Sequence, residues 1–215
     1  RDYFYGDIEC EIYKTGEVSK GAGAEDELER AAAMLAKASH PVILAGGGVS
    51  ISNAVEETRD LAEYLTAPVV NTYLHNDSFP AGHDLSVGPI GYCGSKAAMR
   101  TLAKADVVLA LGCRLGPFGT LPQYDMEYWP KDAQIIQVDI DHRQLGLTRR
   151  VDLPVAADAG AFARQVLLKL GAKVRITVRK VWLSLSSGYA NKALFRQVYE
   201  NLRGPTVSGT SEVSM

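Results

Sequence analysis

The segment Asp106-Val107-Val108-Leu109-Ala110-Leu111-Gly112 constrains this chain more than any other. Its unbroken aliphatic run leaves no face for water. A strand of that kind is buried on both sides, as in a parallel sheet covered by helices on each face. Four more segments of strand character accompany it: Pro41–Ala45, Pro68–Asn71, Gln134–Asp139 and Leu153–Ala156. Pro154 cannot donate to a ladder, which predicts an edge position for the last of them.

Helical patterns alternate with these strands. Glu25, Asp26 and Glu27 favour a helix start. Leu28, Ala31, Ala32, Leu35 and Ala36 then form one apolar face, and His40-Pro41 ends the helix. A second helix is expected from Asn53 to Leu65, with Val55, Thr58, Leu61, Ala62 and Leu65 inward and Asn53 with Glu56 as a capping box. Ser95 is expected to cap a third, with Ala98, Met99 and Leu102 on its core side, and Asp158 a fourth, with Phe162, Val166 and Leu170 inward. This alternation predicts an α/β fold with a doubly wound parallel sheet over residues 25–171. Right-handed crossovers would bring every strand-end loop to one edge.

Residues 1–24 read as a linker. From Lys173 to Met215 there are seven Lys/Arg against two Asp/Glu, net +5, while the rest carries 16 against 23, net −7. That break marks residues 172–215 as an atypical tail with no place in the pattern. Overall the chain has net charge −2, which gives no sign of a nucleic-acid or membrane-surface partner. No apolar run approaches the ~20 residues of a membrane span, and the first residues lack a signal-peptide plan. Cys10, Cys93 and Cys113 are odd in number and far apart, which fits a reduced, cytoplasmic setting. His40, His75, His83 and His142 have no zinc-site spacing, so no metal site is expected of this chain alone.

The long glycine- and proline-rich stretch between Asn71 and Ser95 is the first candidate for function. Loops of that length in compact domains usually carry a role, and they sit where parallel sheets put ligands. His75 and His83 could donate to an anion there, or be ordinary surface histidines. Gly46-Gly47-Gly48 follows the first strand. It reads either as a phosphate cradle or as a tight structural turn. The dinucleotide fingerprint is incomplete, because Ile51 stands at its third glycine and Asn71 where an acid belongs. Arg114 could pair with a phosphate, sulfonate or carboxylate, or with a neighbouring loop. Asp139 and Asp141 could accept from a nucleotide, or cap the next turn. Cys113 has no activating base and reads as a buried, inert thiol. Lys96 and Arg100 read as a solvated helix face. No serine–histidine–acid set and no acid–base carboxylate pair can be assembled, so the residues by themselves describe a binding domain.

The segments "RDYFYGDIECEI", "GGGVSISNAVEE", "APVVNTYLHNDSFPAGH", "GPIGYCGSKAAM", "ADVVLALGCRLGPFGTLPQY" and "YWPKDAQIIQVDIDHRQLGL" resemble the sulfoacetaldehyde acetyltransferase family. These are thiamine-diphosphate enzymes related to acetolactate synthase and glyoxylate carboligase. The "YLHNDSFP" and "LGPFGTLPQ" segments are the specific part of the resemblance, which covers residues 1–171. It implies the Rossmann-like central domain of a three-domain polypeptide, inactive alone, whose flanking domains bind thiamine diphosphate and Mg²⁺. It implies conversion of sulfoacetaldehyde and phosphate to acetyl phosphate and sulfite, with an acetolactate-synthase-type carboligase as the alternative. His75, Asn76, Ser78, Tyr92, Arg114, Phe118 and Thr120 would lie on the rim of a shared substrate or cofactor site. Gly46, Gly47, Gly48, Asp139 and Asp141 would hold a nucleotide in relatives that bind one. FAD is not expected here. The complete protein is expected to be a homodimer or homotetramer, and a truncated or frame-shifted coding sequence would account for the tail. A stand-alone nucleotide-binding module is the competing reading.

Overall fold

The computed structural model describes residues 20–176 and 181–185. Cys10, most of the 1–24 linker and residues 186–215 lie outside the described residues. Six parallel strands form the central sheet: β1 Pro41–Ala45, β2 Val69–Thr72, β3 Ser86–Ile90, β4 Val107–Leu111, β5 Gln134–Asp139 and β6 Leu153–Ala156. Their spatial order is β3-β2-β1-β4-β5-β6, so chain order reverses direction between β1 and β4. Ile43 lies beside Leu109, and Leu44 beside Val70 on the other flank.

The aliphatic runs are explained by the two faces. Ile43, Leu109, Leu111 and Val138 point to one layer, and Val42, Leu44, Val108 and Ala110 to the other. Three helices cover the first face: α1 Glu25–Lys37, α3 Val55–Leu65 and α5 Ala159–Gly171. A single helix, α4 Lys96–Leu102, covers the second with Ala98, Met99 and Leu102. The rest of that face is closed by coil carrying Cys113, Leu115 and Tyr128. Each aliphatic side chain so buried contributes roughly 1.5–3 kcal/mol.

Local chemistry sets the boundaries. Glu27 accepts from the Ala24 amide at 2.8 Å at the start of α1. The Ser95 hydroxyl accepts from the Ala98 amide at 3.0 Å, and Asp158 Oδ1 from Ala161 at 3.0 Å, as the sequence predicts. Pro154 lies on the edge strand β6.

Three features differ from the sequence reading. The long loop after β2 contains β3, an edge strand with Gly88, Pro89 and a register shift at Val69/Val70. Glycine and proline hide such a strand from pattern reading. The expected helix from Asn53 to Leu65 begins two residues later, as α3 Val55–Leu65, and a separate short helix not read from the sequence, α2 Gly47–Ile51, precedes it and grows straight from the glycine turn. Asn53 stands between them at φ 55°, so it breaks the helix and does not cap it; the N-cap is Ala54. Ala36 is exposed, because α1 narrows its buried stripe to Leu28, Ala31, Ala32 and Leu35. Beyond α5, Ala172–Ile176 (β7) and Val181–Leu185 (β8) pair as an antiparallel two-stranded sheet.

Candidate site at the carboxyl edge of the sheet

Because all six strands run the same way, the turns after Ala45, Thr72, Ile90, Leu111 and Asp139 share one edge. The glycine turn is built for contact with its neighbour. The Gly46 amide donates to the Leu111 carbonyl at 3.0 Å and the Gly48 amide to Gly112 at 2.9 Å. A Cβ on Gly48 would stand 2.6 Å from Gly112 Cα, and one on Gly47 would stand 2.5 Å from the His75 ring. Two of the three amides that could cradle a phosphate are thus spent on β4, and His75 lies over the third glycine.

The loop after β2 is braced from inside. Asn71 Nδ2 donates to Ser78 Oγ at 2.8 Å, and Ser78 Oγ donates to the His75 carbonyl at 2.7 Å. Ser78 is fully buried, so it holds the loop's shape, while His75 is half-buried and Asn76 exposed. His83 faces away from this group; its Nε2 lies 3.0 Å from Glu63.

Two further loops meet beside it. The Tyr92 amide donates to the Phe118 carbonyl at 2.9 Å. Phe118 occupies a 3₁₀ turn, Phe118–Thr120, and is exposed, as is Tyr92. Thr120 is buried; its hydroxyl donates to the Gly116 carbonyl at 3.2 Å and accepts from Arg149 at 3.1 Å. Arg114 is exposed near Asp139. Burial pushes the Asp139 carboxyl up, a bond from the Asp141 amide opposes this, and the charge of Asp141 adds to it. Arg143 grips Asp141 through two bonds of 2.8 and 2.9 Å and holds its carboxyl well below the usual range. Asp141 also accepts from the Arg143 amide and so caps the turn His142–Gln144. The Cys113 thiol is buried and pushed up to about 11 by desolvation, which keeps it protonated and inert.

Two residues of this edge carried little sequence signal. Gln137 is buried in β5; its Nε2 donates to the Cys113 and Gln144 carbonyls at 3.1 and 3.2 Å, and its Oε1 accepts from Gly146 at 2.8 Å. It ties the β4 loop to the β5 loop, and a polar residue inside "QIIQVD" was the only hint. Arg149 stacks on the Trp129 ring at 4.2 Å while reaching Thr120, and nothing in its sequence context announces it.

The arrangement offers a shaped, partly cationic rim without reactive groups of its own. Among the described residues, no group of three His, Cys, Asp or Glu is placed to hold a metal ion. With two of the three glycine amides engaged and the His75 ring over the third glycine, these residues do not fit a diphosphate–metal group. A cleft of about 460 Å³ opens at the opposite edge, near His40, Arg100 and Lys104. Three helices end there, so its cations answer helix C-terminal dipoles and do not mark an anion site. No helix among the described residues is long and apolar enough to cross a membrane.

Residues 28–166 match the family model described as thiamine pyrophosphate enzyme, central domain. The chain belongs to this family. A sulfoacetaldehyde acetyltransferase from Castellaniella defragrans is 56% identical over 181 residues, covering 84% of this chain and 30% of that protein. The acetolactate synthase large subunit of Corynebacterium glutamicum is 32% identical over 183 residues, covering 83% of this chain and 28% of that protein. The benzoylformate decarboxylase structure from Polynucleobacter necessarius superposes with a TM-score of 0.60 at 21% identity, over 77% of this chain and 31% of that one. That likeness establishes the fold. As a central domain of this family, the chain spans about 30% of the length of the curated relatives it matches.

Proposed function

We propose that this chain is the central portion of a sulfoacetaldehyde acetyltransferase, which converts sulfoacetaldehyde and phosphate to acetyl phosphate and sulfite. The observation that carries the reading is the gap between 56% identity to an acetyltransferase of that name and 32% to an acetolactate synthase over nearly the same region. Thiamine diphosphate and Mg²⁺ would be held by other parts of the polypeptide, since the residues described here offer neither a free amide cradle nor a metal-ligating cluster. A place in taurine breakdown and a cytoplasmic site accord with this reading, as does assembly into a dimer or tetramer.

This domain's own share is the rim. His75, Asn76, Tyr92, Arg114 and Phe118 stand at or near the surface of the carboxyl edge and are free to meet a ligand. Ser78 and Thr120 serve the same rim from below, by fixing the loops that carry His75 and Phe118. Both proposed substrates are anions, and an arginine fork pairs well with sulfonate or phosphate oxygens.

Phosphate-dependent release of sulfite, assayed with thiamine diphosphate and Mg²⁺, tests the reading. The full-length polypeptide should release sulfite and form acetyl phosphate, and the 215-residue chain should do neither. Formation of acetolactate from pyruvate by the full-length protein, with no sulfite released, would move it to the carboligases.

A further inference from the structure

Among the described residues, Asn53, Thr66, Cys93, Tyr124 and Asp125 have a left-handed backbone in exposed turns. Leu115 shares that conformation, at φ 56°, yet it is buried, at 1% exposure. A bulky residue keeps such a backbone only where its surroundings hold it there. They do so on both sides. The Leu115 amide donates to Cys113 Sγ at 3.4 Å, and the Leu115 carbonyl accepts from the Thr148 hydroxyl at 2.9 Å. Its side chain belongs to the second layer, as does that of Cys113. Between these two buried residues stands Arg114, exposed. The chain before it is fixed as well, because the Cys113 carbonyl accepts from Gln137 at 3.1 Å. Arg59, Arg143, Arg150 and Arg164 each pair with a carboxylate, whereas Arg114 forms no ion pair among the described residues.

With Arg114 read as the anion-binding group of the proposed acetyltransferase, we propose that Thr148 is its positioning residue. By holding Leu115 in the left-handed turn, the Thr148 hydroxyl sets the direction in which Arg114 leaves the carboxyl edge. Thr148 itself stands on a fixed segment. The Gly146 amide, two residues earlier, donates to Gln137 Oε1 at 2.8 Å, and Arg149, the next residue, reaches Thr120 at 3.1 Å. Gln137 thus grips both partners of the contact, at Cys113 before Arg114 and at Gly146 before Thr148. A change of φ at Leu115 would rotate Arg114 relative to the loop that follows it. A guanidinium fork makes paired bonds to sulfonate or phosphate oxygens only when it is aimed at them. A misplacement of ~1 Å is enough to lose much of a rate. Aiming Arg114 through its backbone also leaves its charge free for a ligand, which a bracing carboxylate would not.

A double-mutant cycle in the full-length polypeptide tests this. Thr148→Val removes the hydroxyl at nearly constant shape, Thr148→Ser restores it, and Arg114→Ala is the second substitution. Two readouts are taken: kcat and KM for sulfoacetaldehyde from sulfite release, and the affinities for ethanesulfonate and inorganic phosphate by calorimetry. Thr148→Val should raise KM and weaken anion binding about three-fold or more while kcat stays within about two-fold, the pattern of lost uniform binding. Thr148→Ser should recover most of both. On the Arg114→Ala background, Thr148→Val should change neither. An equal loss with and without Arg114 would overturn the proposal, as would unchanged KM and binding in Thr148→Val, or no recovery in Thr148→Ser. If the parent releases no sulfite, the acetyltransferase reading is lost and anion binding decides alone. Coupling between positions 114 and 148 then keeps the proposal, whereas additive effects, or a parent that binds neither anion, remove it.

Discussion

Gly48 and Gly112 meet backbone to backbone across the point where the sheet reverses its order, with the Gly48 amide 2.9 Å from the Gly112 carbonyl. Each glycine would clash with the other if it carried a side chain: a Cβ on Gly112 would stand 2.7 Å from Gly48 Cα, and Gly112 has φ 56°. Gly48→Ala is expected to cost roughly 1–3 kcal/mol by overpacking. Gly112→Ala adds the strain of a left-handed backbone, on the order of 1 kcal/mol more. At ~2–4 °C per kcal/mol for a domain of this size, calorimetry should show Tm falls of several degrees. An unchanged Tm for both would mean that the two turns are free to part.

Gln137 is the buried tie between the β4 and β5 loops. Gln137→Leu keeps the bulk and strands the Cys113 and Gln144 carbonyls and the Gly146 amide. The expected loss is about 2–4 kcal/mol in urea unfolding, with the Gly146 amide exchanging faster. A Gln137→Leu chain as stable as the parent would show that water replaces these bonds freely.

Arg149 should matter through its planar fork. Arg149→Met removes the stack on Trp129 and the bond to Thr120, an expected loss of about 1–2 kcal/mol. Arg149→Lys keeps the charge without the plane and should recover less than half of that loss in the same unfolding measurement.

Asp106 sets the acid limb of stability. Burial pushes its carboxyl up, but bonds from the Ser39 and His40 amides at 2.6 and 2.9 Å outweigh it and hold the group below its usual range. A carboxyl depressed on folding adds stability that is complete above its unfolded value, about 4, and fades as pH falls through the folded one. Asp106→Asn should therefore flatten the stability–pH curve below about pH 4. The same acid slope in both proteins would assign it to other carboxylates.

Much of this fold was legible because burial on two faces leaves a plain mark. The strand Val107–Leu111 could be read directly, and so could the Ser95 and Asp158 caps, whose side chains carry their own chemistry. The edge strand Ser86–Ile90 could not, since Gly88 and Pro89 are poor strand formers and only pairing with β2 makes them one. The start of α2 at Gly47 was equally hidden, because glycine opposes helix and the reason for it is a distant residue, Gly112. At the candidate site, Arg114 and Phe118 announced themselves by their loop. Arg149 and Gln137 act through tertiary partners on other loops, which no local pattern encodes.

The most direct test of the whole account is the sulfoacetaldehyde kcat/KM of the full-length polypeptide, read as sulfite released in the presence of phosphate, with and without Arg114→Ala. Arg114 is exposed, so its loss should leave Tm in place while lowering kcat/KM about ten-fold or more, the effect of ~1.4 kcal/mol from one charge-assisted bond. An Arg114→Ala enzyme with undiminished kcat/KM, or a full-length protein that releases no sulfite, would contradict it.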